Sequence, residues 1–158
     1  MLERLMDVDN STETTETINQ TVDSITQAIN DWLLTRPLIN EIYDIDIEEL
    51  PDGTKKLALQ RSGVELLKRY FKGRVEEYQY MLFLKEDSED DDTKIANFNW
   101  LDDFVDDIYE QVEQRNFPEI EGKQVTNMRC SNQITYEVSD DGTISNYAVQ
   151  LYFTITSF

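Results

Sequence analysis

The stretch that decides the fold closes the sequence: Tyr147-Ala148-Val149-Gln150-Leu151-Tyr152-Phe153-Thr154-Ile155-Thr156. Every second residue is apolar, so the pattern places one apolar row on a single face of a β-strand. Residues 128–138 repeat the alternation, and Ser139-Asp140-Asp141-Gly142 is typical of a tight turn. The sequence therefore predicts a C-terminal β-hairpin with one buried face. Because a terminal strand is often an edge strand, we expect its outer edge to be free to pair with another chain.

The residues upstream of this hairpin predict two helices and further strands. Apolar residues recur at helical spacing over residues 18–33 and again over residues 95–112. The second apolar stripe consists of Ile95, Phe98, Leu101, Phe104, Val105, Ile108 and Val112. Strand-like alternation covers residues 43–48, 55–60 and 75–84, whereas residues 63–72 fit either a short helix or an extended crossing.

This order of elements predicts an α+β domain. Two helices would pack on a mainly antiparallel sheet of about five strands that ends in the C-terminal β-hairpin. The single domain is predicted at residues 17–158. Residues 1–16 are rich in Thr, Glu and Asp, so a flexible acidic arm is expected there.

The net charge limits the classes of partner. The 158 residues include 33 acidic and 14 basic residues, which give a formal charge of −19. Without a basic stripe, the chain cannot displace the counterions of a nucleic acid, so specific nucleic-acid binding is not expected. The same charge argues against an anionic membrane surface. No apolar run approaches the ~20 residues that span a bilayer, and the first residues lack the apolar core of a signal peptide.

The side chains present also limit the chemistry. The sequence contains no histidine, which excludes Ser-His-Asp and Cys-His nucleophile systems and imidazole zinc sites. Gly-rich phosphate loops and CxxC pairs are absent as well, so we assign no catalytic residue and expect no cofactor. The single cysteine, Cys130, rules out an internal disulfide framework, fits a reducing cytosol and is interpreted as a buried, inert thiol.

Three carboxylates alternate along the first predicted strand, at Asp44, Asp46 and Glu48. Side chains two residues apart share a strand face at a spacing of about 7 Å, and oxygen ligands suit magnesium or calcium. The same alternation also arises on the solvated face of a strand in an acidic protein. A divalent-metal site and a solvated face therefore both stay open at this point.

Charge is segregated along the chain. The second predicted helix carries an acidic helix face, defined as Asp102, Asp103, Asp106 and Asp107. Five of the basic residues form a basic segment, defined as Arg61, Lys68, Arg69, Lys72 and Arg74. The acidic helix face serves either solubility or a basic partner, and the basic segment either internal salt bridges or contact between copies. Trp100 is either an exposed contact residue or partly buried. A head-to-tail contact between the two charged groups would generate rings or filaments.

Several features in order resemble a known family. They are Trp32-Leu33 ahead of a proline, the basic and aromatic residues 67–73, the apolar residues 80–84, the helix at 98–112, the exit at 116–123 and the closing residues 147–151. This order resembles the minor capsid and tail-completion proteins of long-tailed phages that infect Gram-positive bacteria. Those proteins are similar to the tail terminators of lambda-like phages. The resemblance covers residues 18–158, and residues 1–16 have no counterpart in it.

The resemblance implies a structural virion protein at the head–tail junction that assembles in the host cytoplasm. It implies a homo-oligomer, a hexameric ring, that caps the finished tail tube and joins it to the head-completion ring. The implied partners are the major tail tube protein and the head-completion or stopper protein. DNA would pass through the lumen without specific binding, and an acidic lumen would keep its phosphates from adhering.

The predicted subunit and partner contacts combine the charged groups with the hairpin. They are the acidic helix face with Trp100, the basic segment, and Tyr147, Gln150 and Tyr152 of the last strand. Two functions of other classes stay open. One is an acidic binding module, either an immunity protein or a DNA mimic, and the other is a metal-dependent hydrolase that uses Asp44, Asp46 and Glu48.

Overall fold

A computed structural model describes residues 24–49, 53–131 and 134–158, apart from the side chains of Ile134 and Tyr136. The predicted acidic arm at 1–16 and the start of the first predicted helix lie outside these residues. Within them the fold is α+β, with two helices and one mostly antiparallel sheet of seven strands. The elements are α1 (residues 24–34), β1 (Ile45–Ile47), β2 (Lys56–Tyr70), β3 (Gly73–Asp87), α2 (Asp91–Gln114), β4 (Glu119–Ile120), β5 (Lys123–Cys130), β6 (Ile134–Val138) and β7 (Ile144–Ser157).

The last strand, β7, lies in the interior of the sheet. The strand order is β1-β2-β3-β7-β5-β4, and β6 also pairs with β7. β3 accompanies β7 along its full length, while β6 and β5 cover successive parts of its other side. The expectation of an open edge at the end of the chain is therefore wrong. A strand whose apolar face is buried needs neighbours on both sides, because they hydrogen-bond backbone groups that burial removes from water and place apolar side chains beside its own.

The predicted C-terminal hairpin is confirmed by the antiparallel pairing of β6 with β7. At its turn the Asp141 carboxylate accepts hydrogen bonds from the Thr143 N–H at 3.1 Å and from the Thr143 and Ser139 hydroxyls, each at 2.7 Å. These bonds stabilise the charged form and lower the pKa of Asp141 to about 2. The turn residues therefore satisfy the backbone locally, without help from the core.

The prediction of about five strands is too low. The segment predicted as one strand at 128–138 breaks after Cys130, so that β5 and β6 pair with different parts of β7. The two-residue β4 adds another strand beside β5. Residues 63–72, which fitted either a helix or an extended crossing, are strand up to Tyr70. β2 has an extra residue at each of two β-bulges, Ser62 and Leu67, and these shift the alternation that a regular strand would show.

Both helices pack on one face of the sheet. The buried apolar residues of this layer include Ile29, Leu33, Leu57, Leu59, Tyr80, Leu82, Leu84, Leu101, Phe104, Ile108, Tyr147, Val149, Leu151, Phe153 and Ile155. In α2 the inward positions also hold Asn97 and Gln111, so the predicted stripe is only partly buried. Ile95 and Phe98 flank this inward row and are 57% and 45% exposed. Asn97 lies inward because its side-chain amide donates to the Asp87 carbonyl at 2.8 Å.

Candidate interaction surface

One open edge of the sheet is β2, because its neighbour on the outer side is short; among the described residues β5, at the other side, is likewise paired by β4 only at Lys123 and Gln124. β1 runs parallel to β2 but pairs only with residues 57–59. The chain then leaves the sheet at Glu48, whose N–H donates to the Leu59 carbonyl at 2.9 Å. The Glu48 carboxylate accepts the Arg61 N–H at 3.2 Å. Beyond Arg61, within the described residues, β3 is the only strand beside β2.

The register identifies which backbone groups point outward from this edge. In an antiparallel pair, residues alternate between those that bond the partner strand and those whose N–H and C=O point away from it. Leu59 and Arg61 both bond Glu48, so their groups point away from β3. Each bulge inserts one residue, which places the next outward-pointing groups at Val64, Leu66 and Arg69.

Apolar side chains are exposed along this edge and at its tip. Leu66 and Leu67 are each 49% exposed, and Tyr70 is half-exposed. Phe71, at the turn from β2 to β3, is 99% exposed. Soluble monomers seldom leave such residues together in water, so this surface has the character of an interaction site.

The basic segment surrounds the same apolar residues. Lys68 lies over the Tyr70 ring at 4.9 Å, and Arg61 lies over the Tyr78 ring at 5.1 Å. Arg74 forms an ion pair of 2.8 Å with Glu76. Arg61 and Arg69 lie on one face of the sheet and Lys68 on the other, as their register with β3 shows. The basic segment therefore lines both faces of this edge, and the Arg74–Glu76 ion pair accounts for only part of its charge.

An open cleft of about 500 Å³ lies where the ends of β2, β3, β5 and β7 meet. Its lining includes the cations Arg69, Arg74 and Lys123 and the aromatic rings of Tyr70 and Phe158. The Lys123 ammonium donates to the Ser157 hydroxyl at 2.9 Å. In a chain with a net charge of −19, this cleft is a local concentration of positive charge. Such a cleft suits carboxylates on a partner chain.

The acidic helix face is only partly exposed. Asp102, Asp103 and Asp106 are exposed. Asp107 is half-buried and pairs with the Arg36 guanidinium at 3.6 Å, and the Gln111 side-chain amide donates to it at 3.0 Å. Asp107 therefore serves the fold by joining α2 to the end of α1.

Trp100 belongs mainly to the packed layer. Its indole N–H donates to the Leu38 carbonyl at 3.3 Å, and its ring stacks on Phe104 with a centroid distance of 5.5 Å. Tyr43 meets the same indole edge-on at 5.7 Å. Of the two interpretations, partial burial describes Trp100 in this structure.

The three predicted contact residues of β7 do not lie on an open edge. Tyr147 is 2% exposed, and its ring contacts Phe98 edge-on at 5.5 Å. The Gln150 carbonyl accepts the Ser131 N–H at 2.9 Å, which closes that side of the strand. Tyr152 lies on the sheet face away from the helices, where the Arg129 guanidinium covers its ring at 3.6 Å.

The carboxylates Asp44, Asp46 and Glu48 lie along and just outside β1. Of these, Glu48 is bonded to the β2 backbone, as described above. In the part of the chain that the structure describes, no group of three or more His, Cys, Asp or Glu side chains is placed to hold a metal ion. In the same part, no helix is long and apolar enough to cross a membrane.

Sequence reasoning missed the edge of β2. It noticed the cations and aromatics of residues 61–74 but not the exposure of Leu66, Leu67 and Phe71. A signal was present, because the apolar residues of 63–72 fit a helix and an extended segment equally and so indicate no single buried face. No family model matches the sequence, and no curated protein is significantly similar to it.

Proposed function

We propose that this protein is a structural subunit of a phage head–tail connector, namely a tail terminator. In this proposal the chain forms a ring, a hexamer, that caps the tail tube and joins it to the head-completion ring. The resemblance over residues 18–158 supports the phage assignment. The surface of the molecule supports an assembly role, and no catalytic residue is part of the proposal.

The open edge of β2 is the observation that carries the proposal. Val64, Leu66 and Arg69 point backbone groups outward, where no strand of the described residues pairs with them, and Leu67 and Phe71 add exposed apolar area. An uncovered edge can pair with another chain, and natural proteins shorten it, cover it, or blunt it with charges and bulges, of which β2 has both. In a connector subunit the neighbouring subunit would provide that cover.

The charge distribution supports contacts between unlike surfaces. The basic segment and the exposed Asp102, Asp103 and Asp106 lie on different elements, β2–β3 and α2. A contact between two different surfaces is heterologous, and repetition of a heterologous contact closes into a ring when the rotation allows. Acidic residues left facing the lumen would repel the phosphates of passing DNA.

A second candidate function is an acidic binding module, either an immunity protein or a DNA mimic. The exposed carboxylates on one side of α2, together with the net charge of −19, favour it. Such a module would bind a basic enzyme tightly in a 1:1 complex, with fast, salt-dependent association. It would not associate with virions.

Light scattering after size exclusion tests the connector proposal. The purified full chain is measured alone and after mixing with the major tail tube protein that the proposal names as its partner. We expect the mass of a ring, six subunits, in at least the mixed sample, and a ring on the tube end in electron micrographs. Monomers in both samples would refute the proposal, and a 1:1 complex with a basic enzyme would favour the binding module.

A pair of variants distinguishes a specific contact at the β2–β3 tip from a general effect of exposed apolar residues on association. Phe71→Ser removes an exposed aromatic at the tip of the β2–β3 hairpin, and Ile95→Ser removes an exposed aliphatic on α2. We expect Phe71→Ser to lower the ring fraction and Ile95→Ser to leave it unchanged. If the two substitutions have equal effects, Phe71 does not contribute specifically to the contact between subunits.

A further inference from the structure

The β2 edge has the size and chemistry of a site for one added strand. The free stretch runs from Arg61 to Arg69, with outward-pointing backbone groups at Val64 and Leu66 between them. Its ionic side chains are the cations Arg61, Lys68 and Arg69 and the single carboxylate Glu65. Strand addition supplies affinity through backbone hydrogen bonds and specificity through alternate side chains. The matching strand is therefore acidic, apolar at alternate positions, and about nine residues long.

We propose that this edge binds residues 1–9 of a second copy of the chain as an added β-strand. This inference rests on the proposed ring, for which it names the contact between neighbours. Residues 1–9 carry three carboxylates, Glu3, Asp7 and Asp9, against one cation, Arg4. They contain neither proline nor glycine, and apolar residues stand at every second position from residue 2 except at Arg4. The segment thus complements the edge in charge, pattern and length.

The described chain begins on the side of the sheet opposite the β2 edge. Ser24, where the described chain begins, lines a groove with Asn116, Phe117 and Glu119. Glu119 belongs to β4, the strand at the opposite edge of the sheet from β2. Four strand spacings, about 19 Å, separate those two strands. In a head-to-tail ring, the β4 side of one subunit faces the β2 side of the next, so Ser24 of one subunit would lie on the side that faces its neighbour's β2 edge.

Fluorescence anisotropy with a labelled synthetic peptide of residues 1–12 tests the site on the full chain. We expect saturable binding that weakens at high salt, since exposed ion pairs are screened. Lys68→Glu/Arg69→Glu should weaken binding by about tenfold or more, because two attractions become repulsions. The matched control Lys55→Glu/Lys94→Glu changes the net charge equally at exposed sites away from the edge, and should bind as the wild type does.

Two proline substitutions test whether peptide binding depends on the backbone of the β2 edge as well as on its charge. Val64→Pro removes an outward-pointing N–H and should weaken peptide binding by about tenfold or more, while β2 still pairs with β3. Glu65→Pro removes an N–H that bonds β3, so it should lower the melting temperature instead. The two charge variants keep the proposal testable if Val64→Pro fails to fold.

Crossed charges test whether the contact joins two copies. Glu3→Lys/Asp7→Lys/Asp9→Lys reverses the segment, and Lys68→Glu/Arg69→Glu reverses the edge. Each variant alone should lose association, and an equimolar mixture should regain it, because each supplies the complement of the other. If the two variants do not associate when mixed, the proposed contact between two copies is wrong.

The outcomes distinguish this inference from the proposed function. A ring that forms equally well with both reversed variants, or a peptide that does not bind, overturns the strand addition and leaves the connector proposal standing. A wild-type chain that stays monomeric with tail tube protein overturns the connector proposal. In that case saturable, edge-dependent peptide binding would still support the strand site.

Discussion

The hydrogen bond between Tyr43 and Glu86 holds the chain that leads into β1. The Tyr43 hydroxyl donates to Glu86 Oε2 at 2.7 Å, and Glu86 is only 9% exposed. Burial, together with the neighbouring Glu86 carboxylate, raises the pKa of Tyr43 above its usual value of 10, so the hydroxyl remains a donor at neutral pH. Tyr43→Phe removes this donor and keeps the ring that meets Trp100 edge-on.

The expected loss of stability follows from the burial of the acceptor. A hydrogen bond to a charged group contributes about 1.5–3 kcal/mol, and an acceptor left buried without its donor retains its desolvation cost. For a chain of this length, each kcal/mol corresponds to about 2–4 °C in melting temperature, so we expect a decrease of about 3–12 °C. Because Glu48 follows β1 directly, its N–H, which bonds the Leu59 carbonyl, should also exchange with solvent faster.

Urea unfolding followed by tryptophan fluorescence at pH 7 measures this effect. Tyr109→Phe is the control, because its hydroxyl is half-exposed and donates to the Cys130 carbonyl over a longer 3.4 Å. The control should change the free energy of unfolding by less than about 0.5 kcal/mol. Glu86→Gln completes a double-mutant cycle. A Tyr43→Phe effect no larger than the control, or a coupling near zero in the cycle, would refute the reasoning.

Three further predictions concern packing, pH and an ion pair. In Gly73→Ala the new Cβ would clash with the Ser157 carbonyl oxygen, so we expect a loss of about 1–3 kcal/mol in urea unfolding. Burial raises the pKa of Cys130 from 9.0 to about 12. As the pH rises, the unfolded chain therefore loses the thiol proton before the folded chain does. The free energy of unfolding is unaffected by this group below pH 9 and decreases between pH 9 and pH 12, by at most about 1.4 kcal/mol per pH unit. Cys130→Ala should remove that part of the slope in urea titrations across this range. Arg36→Ala leaves Asp107 half-buried without its cation and should cost about 2 kcal/mol, of which Arg36→Ala/Asp107→Ala restores part.

Much of the fold could be predicted from local patterns. The hairpin at the end of the chain followed from alternation and turn residues, and both helices followed from helical spacing. The strand count did not follow, because bulges at Ser62 and Leu67 disrupt the alternation that identifies a strand. Likewise, nothing in residues 123–138 indicates that the strand breaks after Cys130, so that β5 and β6 pair with different parts of β7.

The candidate site was predicted in composition but not in position. The density of cations in residues 61–74 identifies the basic segment, and the structure places its residues along both faces of the β2 edge. Asp107 was grouped with the exposed acids because spacing alone does not reveal that Arg36, far away in the sequence, packs against it. Tyr147, Gln150 and Tyr152 were placed on an open edge because their strand is the last one.

The sequence by itself determined the faces of the last strand, because side-chain alternation is a local property of an extended backbone. It also determined the absence of histidine chemistry and the concentration of positive charge at residues 61–74. The tertiary structure decided which strand has a free edge. That choice depends on which segments, distant in sequence, cover each side of a strand. Among the described residues, β3, β5 and β6 enclose β7, whereas β1 ends after three residues and leaves most of β2 without a strand on its outer side.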